Sequence, residues 1–363
     1  MFTRNNTRKI KIGKVVIGGG SRIAVQSMTN TDTKNVSATV NQIKQLEGLG
    51  CEIVRVAVPD MDAARRLGEI KRRINIPLVA DIHFDYRLAL EAINQGVDKL
   101  RINPGNIGSE EKVDAVVLAA KKAKIPIRIG VNAGSLKTVR GVHDAAKRAE
   151  KLVDSAIQHV KMLENRSFRD IVVSLKASDV ATTVEAYKLF AAKRNYPLHL
   201  GITEAGSLFS GAIKSSVGMG IMLYVGLGDT IRVSLTSDPE EEVKASYKIL
   251  QSLGLRSAGV EIISCPTCSR CEVNLIKIVN ELEKELALIT GSSELKSKKP
   301  IKVAVMGCVV NGPGEASEAD IGIAGGKNTG ILFSGGKVIG KVSPDKWVKT
   351  LKKLVIRKVK GLR

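Results

Sequence analysis

From residue 20 to about residue 255, short β-branched runs alternate with stretches whose apolar positions recur every three or four residues. The strand-like runs are IAVQSM (23–28), CEIVRVAVP (51–59), PLVADIHF (77–84), DKLRINP (98–104), PIRIGVN (126–132), DIVVSLKA (170–177), PLHLGITE (197–204) and TIRVSLT (230–236). Between them lie helix patterns such as SATVNQIKQLEGLG, DYRLALEAINQG, SEEKVDAVVLAAKKAK and HDAAKRAEKLVDSAIQHVKMLEN. Eight strands, each followed by a helical segment, is the arithmetic of a (β/α)8 TIM barrel. An open doubly wound sheet is the alternative, but strict alternation favours closure.

Near LQSLGLRSAGVEIISCPTC the repeat stops. A strand follows, then the helix EVNLIKIVNELEKELALI, a lysine-rich linker, the run IKVAVMGCVV, a glycine-rich stretch, a hairpin-like GILFSGGKVIGKVS and a closing helix. That order implies a smaller α+β domain. The expected division is residues 1–255 for the barrel and 256–363 for the second domain. Glycines in GGGSRI, GIAGGKNTG and SGGKVIG match no P-loop spacing and read as turn glycines.

The chain has 363 residues and a net charge of +21, while aromatic residues make up only 3%. Solvated lysines on helix faces and linkers account for much of that charge, and the sharper reading is an anionic partner. So few aromatics make no convincing base-stacking surface, which argues against nucleic acid. A small phosphorylated substrate fits better. The basic N-terminus lacks a continuous apolar core and cleavage site, and no apolar run reaches membrane-spanning length. The expectation is a cytoplasmic protein whose clustered cysteines are metal ligands rather than disulfides.

Chemistry in such a barrel sits at the C-terminal ends of the strands. Those ends carry Gln26, Arg55, Asp81 with His83, Arg101 with Asn103, Arg128 with Asn132, Lys176, Glu204, and Arg232 with Ser234. Five cations outnumber the carboxylates Asp81 and Glu204, and a desolvated positive cavity calls for an anion. Arginine forks suit phosphate oxygens bidentately, so a diphosphate is the natural guest. Glu204 sits where a leaving hydroxyl needs a proton.

Cys265, Cys268 and Cys271 are spaced C-x2-C-x2-C, and Cys308 lies far along the chain. Four thiolates suit either zinc or a 4Fe–4S cluster. The tight loops around them favour the bulkier group. Cys51 reads as a buried small hydrophobe.

Taken together, VQSMTNTDT, ADIHFDYRLAL, KLRINPGNIG, PIRIGVNAGSL, GITEAG, ISCPTCSR and GCVVNGPGEA resemble the 4-hydroxy-3-methylbut-2-enyl diphosphate synthase family, from about residue 8 to the C-terminus. The resemblance implies a TIM barrel joined to a domain like the iron–sulfur domains of sulfite and nitrite reductases. It implies one 4Fe–4S cluster per chain, held by Cys265, Cys268, Cys308 and Glu315. Cys271 departs from the family pattern and reads as a neighbour of that site rather than a ligand. The implied substrate is 2-C-methyl-D-erythritol 2,4-cyclodiphosphate, held by Arg55, Arg101, Arg128, Asn132, Lys176, Arg232 and Ser234. Asp81, His83, Asn103 and Glu204 would surround its carbon skeleton, with Glu204 as proton donor. Ferredoxin or flavodoxin is the implied electron donor, and a homodimer the implied assembly, one protomer's cluster domain closing over the other's barrel. Two rivals stay open on the sequence. One is a zinc-stapled nucleic-acid-binding protein; the other is a barrel enzyme acting on another phosphorylated sugar.

Overall fold

A computed structural model describes residues 6–136, 139, 141–256, 260–290, 301–308, 314, 319–325 and 328–359. The chain divides into two compact units, Met1–Arg256 and Ser257–Arg363.

The first unit opens with a hairpin of β1 (Ile10–Ile12) and β2 (Val15–Ile17). Eight parallel strands follow: β3 (Ala24–Met28), β4 (Ile53–Ala57), β5 (Leu78–Asp81), β6 (Lys99–Ile102), β7 (Ile127–Asn132), β8 (Ile171–Lys176), β9 (His199–Leu200) and β10 (Thr230–Ile231). Their spatial order is β8-β7-β6-β5-β4-β3-β10-β9, and a parallel bridge between Val173 and Leu198 closes the ring. The eight runs read from the sequence are these eight strands. Between them run α1 (Val36–Gly48), α2 (Met61–Arg72), α3 (Tyr86–Asn94), the short α4 (Pro104–Ile107), α5 (Glu110–Ala123), α6 (Ala145–Asn165), α7 (Val180–Lys193), α8 (Leu208–Tyr224) and, last, α9 (Pro239–Ser252).

Side-chain alternation along each strand divides the barrel into two cores. Val54, Val56, Leu78, Ala80, Leu100, Ile102, Ile127, Ile129, Val173 and Leu175 face outward and pack with the helices. Ala24, Ile53, Val79 and Val172 face inward at the lower end, where Ile10, Ile12 and Ile17 of the hairpin cover them. Each such fully buried isoleucine contributes about 1.5–3 kcal/mol of transfer free energy. Many of the helices begin at a side-chain cap: Asn35, Asp60, Asp85, Asp144 and Asp179 each accept a hydrogen bond from a backbone N–H of the first turn.

In the second unit β11 (Val260–Ser264), β12 (Ile301–Met306) and β13 (Ile321–Gly325) run parallel, and β14 (Gly330–Ser334) and β15 (Lys337–Val342) complete the sheet antiparallel. Helices α10 (Leu275–Thr290) and α11 (Trp347–Val359) bring Leu275, Leu282, Trp347, Leu351 and Val355 into one core with Val303, Val305 and Ile323.

Here the glycine-rich stretch differs from expectation. Gly335 and Gly336 do turn, with φ of +52° and +76°. Gly322 and Gly325, however, belong to β13 and Gly330 opens β14. A Cβ on Gly322 would lie 2.1 Å from Phe333, and one on Gly330 would lie 2.5 Å from the Trp347 ring. These glycines make room for aromatic rings, which is why a strand lies where turns were read.

Candidate active site at the barrel mouth

The inward face of the barrel is apolar at its lower end and cationic above. Arg55 on β4, Lys99 and Arg101 on β6, Arg128 on β7, Lys176 on β8 and Arg232 just after β10 all lie on it. Arg101, Arg128 and Lys176 are 8%, 1% and 8% exposed. Register sets the layers: Arg55 pairs with Met28 and Val79, Asp81 with Arg101, and Arg101 with Arg128. Two inner-wall glycines leave the space these long side chains fill. A Cβ on Gly130 would stand 2.7 Å from Arg101 Nε, and one on Gly201 would stand 2.5 Å from Lys176 Nζ.

Two buried carboxylates face these six cations among the described residues. Asp81 lies 3.2 Å from Arg101 Nη1, 3.7 Å from Arg55 Nε and 3.5 Å from His83 Nε2. Burial raises its pKa, but His83 and the guanidinium groups of Arg55, Arg101 and Arg128 more than offset that and hold the carboxyl well below the usual range. The second carboxylate is Glu242 of α9. It takes the Arg232 fork bidentately, Nη2 to Oε1 at 3.0 Å and Nε to Oε2 at 3.1 Å, and also accepts from Leu235 N and Ser27 Oγ. Glu204 does not fill this place. It is exposed at the rim, in the left-handed region with φ of +53°, and shares a cavity of about 300 Å³ with Gly134, His143, Arg148 and Ser178.

The remaining cations are under-compensated. Arg128 Nε and Nη1 are buried without a hydrogen-bond partner. Burial first, and then the neighbouring cations, push Arg128 and Lys176 far below their ordinary pKa values, and Arg55 down to about 10. Guanidinium groups do not give up their protons in proteins, so a bound anion would relieve the stress. Arg55 meanwhile donates to the Met28 thioether from Nε at 3.0 Å and Nη2 at 2.8 Å, a weak acceptor where an oxyanion would be a strong one.

Most of the other expected residues gather here too. Arg101 Nη1 donates to His83 Nδ1 at 3.3 Å, which leaves the His83 ring half-exposed between Asp81 and Arg101. Asn132 ends β7 directly opposite Lys176, and Ser234 lies half-buried two residues past Arg232. Asn103 is 6% exposed and caps α4, its Oδ1 accepting from Gly105 N at 3.2 Å. Cys51 is 2% exposed, and burial raises its thiol pKa to about 12.

In the second unit Cys265 directly follows β11 and Cys308 stands two residues beyond β12, its parallel neighbour. Gly307 ties the two loops together. Its N–H donates to Cys265 Sγ at 3.4 Å, and its carbonyl accepts from Glu272 N at 3.1 Å. A Cβ at Gly307 would fall 2.4 Å from Cys271 Sγ. Hydrogen bonds from the Arg270 backbone and side chain favour the Cys268 thiolate, and all these cysteines are free thiols. This soft donor set on two adjacent strand ends fits a sulfur-ligated metal group. Among the described residues no three His, Cys, Asp or Glu side chains already converge as a metal site, and Glu315 lies outside the described residues.

The family model described as the GcpE TIM-barrel domain matches residues 7–247, and that of the GcpE protein C-terminal domain matches residues 261–357. The chain belongs to the GcpE family. Among GcpE relatives, a 4-hydroxy-3-methylbut-2-en-1-yl diphosphate synthase (flavodoxin) from Thermodesulfovibrio yellowstonii is 58% identical over 351 residues, covering 97% of this chain and 98% of the relative. One of the same name from Clostridium perfringens is 56% identical over 354 residues, covering 98% and 99%. Neither rival reading finds support in these matches. The barrel resembles dihydropteroate synthase from Stenotrophomonas maltophilia, with a TM-score of 0.53 at 15% identity over 68% of this chain and 98% of that one. It also resembles the Coxiella burnetii protein, at 0.50 and 12% identity over 66% and 98%. That likeness concerns fold alone.

Two features of the GcpE barrel escaped the sequence reading. Lys99 lies two positions before Arg101, hence on the same inner face, but it opens β6 rather than standing at its C-terminal end. Glu242 sits on a helix ten residues beyond its partner, within an acidic PEEE start that reads as a solvated first turn. Strand alternation could have found the lysine. No local signal marks the glutamate.

Proposed function

We propose that this GcpE-family oxidoreductase opens the ring of 2-C-methyl-D-erythritol 2,4-cyclodiphosphate and releases water, giving (E)-4-hydroxy-3-methylbut-2-enyl diphosphate. Two electrons and a proton enter, one carbon–oxygen bond to phosphate breaks, and one hydroxyl leaves as water. The observation that carries the reading is the surplus of buried cations at the barrel mouth. The names of its relatives support the reaction and a flavodoxin as donor, with ferredoxin the alternative.

Arg55, Arg101, Arg128, Lys176 and Arg232 bind the diphosphate, helped by Asn132 and Ser234. Guanidinium forks fix its orientation, and the buried wall strengthens each contact by excluding water. Asp81 stays ionised and orients Arg55, Arg101 and His83, which with Asn103 border the carbon skeleton. Glu204, exposed at the rim, delivers the proton to the leaving hydroxyl.

Cys265, Cys268, Cys308 and Glu315 would hold one 4Fe–4S cluster, Cys271 lying beside it. When bound, that group supplies electrons and a Lewis-acidic iron. The protein works as a cytoplasmic homodimer.

The test is to purify the protein without oxygen and measure iron, sulfide and zinc beside the visible spectrum. About four irons per chain and a shoulder near about 400 nm are expected, retained in Cys271→Ser and lost in Cys308→Ser. A colourless protein with stoichiometric zinc would remove the redox chemistry and leave only an anion-binding barrel.

A further inference from the structure

Lys99 lies wholly inside the barrel, level with Val79 of β5 and beneath the layer of Asp81 and Arg101. Its one hydrogen bond among the described residues is from Nζ to Gln26 Oε1, at 3.4 Å. An ammonium has three donors, so two of them find no acceptor. The surroundings are equally short of acceptors: Gln26 Nε2 and Arg128 Nε and Nη1 are buried and unpartnered. His199 donates or accepts at Thr230 Oγ1 through Nδ1 at 2.7 Å, and its Nε2 is buried and unpartnered. A neutral amine has one donor fewer to satisfy and adds an acceptor lone pair.

The charges on every strand of the inner wall agree. The inner wall that holds Lys99 carries Arg55 on β4, Asp81 on β5, Arg101 on β6, Arg128 on β7, Lys176 on β8, His199 on β9 and Arg232 after β10, with Gln26 on β3. Of these, Arg128, Arg55 and His199 interact electrostatically with Lys99. Glu242 is already taken up by Arg232. Among the described residues of the inner wall, Asp81 is therefore the carboxylate left to face the remaining cations. Burial, and then Arg128 and Arg55, drive the Lys99 ammonium pKa well below its ordinary value. A diphosphate seated above would reverse the sign of that field.

We propose that Lys99 is a charge-compensating positioning residue, a neutral amine while the barrel mouth is empty and an ammonium once a diphosphate occupies it. The inference rests on the diphosphate-site reading above. Binding is then coupled to proton uptake, and Lys99 supports the anion from below without touching the reacting atoms.

The experiment is calorimetric titration of the cyclic diphosphate into the full-length protein at one pH in Pipes and in Tris. Their different ionisation enthalpies report protons exchanged on binding. Wild-type protein should take up protons, and Lys99→Met about one proton fewer. The variant should melt no lower than wild type, because a thioether chain replaces an unpaired amine of similar volume. Equal proton uptake in the two proteins would overturn this inference while leaving the diphosphate site intact. Should Lys99→Met not fold, Lys99→Gln is titrated in its place, and proton uptake equal to that of wild type would overturn the inference. Absence of any binding to wild type would remove the site reading itself, and this inference with it.

Discussion

Replacing Arg128 by methionine should make the ligand-free protein more stable and the enzyme worse. Arg128 is 1% exposed, and its Nε and Nη1 have no hydrogen-bond partner. Each unsatisfied buried donor costs about 1–3 kcal/mol. Arg55 and Arg101 add repulsion, and Asp81 returns part of it. Methionine keeps much of the aliphatic packing and removes the donors and the charge. Exchanging buried charge for well-packed apolar volume stabilises by roughly 1–4 kcal/mol in comparable cases. After allowing for the lost attraction to Asp81, the expected gain is about 2 kcal/mol. The cost appears on binding, where a bidentate charge-assisted contact is lost. At about 3 kcal/mol for such a contact, affinity for the diphosphate falls by a factor on the order of 100. Urea unfolding of ligand-free protein measures the first quantity and calorimetric titration with the cyclic diphosphate the second. A variant destabilised by more than about 1 kcal/mol, or one binding as tightly as wild type, would refute the reasoning that this cation is held for its ligand.

Glu242→Gln should destabilise the barrel by about 3 kcal/mol in urea unfolding, because it leaves the Arg232 fork without its buried counter-charge; unchanged stability would mean that solvent already screens the pair. Gly130→Ala places a Cβ 2.7 Å from Arg101 Nε, so Arg101 must leave its place beside Asp81. Diphosphate affinity should fall about tenfold by calorimetry, a loss of one contact's alignment rather than its charge. Lys176 has a folded-state pKa below its unfolded value, so the unfolded chain binds the extra proton in that window and stability rises with pH up to about 10.4. Urea stability from neutral to alkaline pH should climb more steeply in wild type than in Lys176→Met, and parallel curves would show that the amine is not stressed.

The barrel was legible because its strands are buried on both faces and its helices on one, so the period of apolar positions changes at every boundary. Elements whose pattern is weaker were not. The hairpin formed by Ile10–Ile12 and Val15–Ile17 has too few residues to show a period, although its isoleucines seal the barrel floor. The strand Ile321–Gly325 was hidden by glycines that its packing against Phe333 demands. At the site, charged residues interrupting apolar runs were visible in one dimension, and five of the six inner-wall cations were read from strand ends. The sixth, Lys99, needed the alternation carried one step further inward. Glu242 needed the three-dimensional return of α9 over β3. Glu204 was read at the strand end after β9, and its exposure and its left-handed backbone were not visible in the sequence.

The most direct measurement is 31P NMR of the cyclic diphosphate mixed without oxygen with this protein and reduced flavodoxin. Conversion of the two ring phosphorus signals to those of a linear diphosphate monoester is expected, and only when protein and reductant are both present. Ring opening without reductant, release of inorganic phosphate, or unchanged ring signals with a cluster-loaded protein would contradict a reductive enzyme built on this cationic barrel.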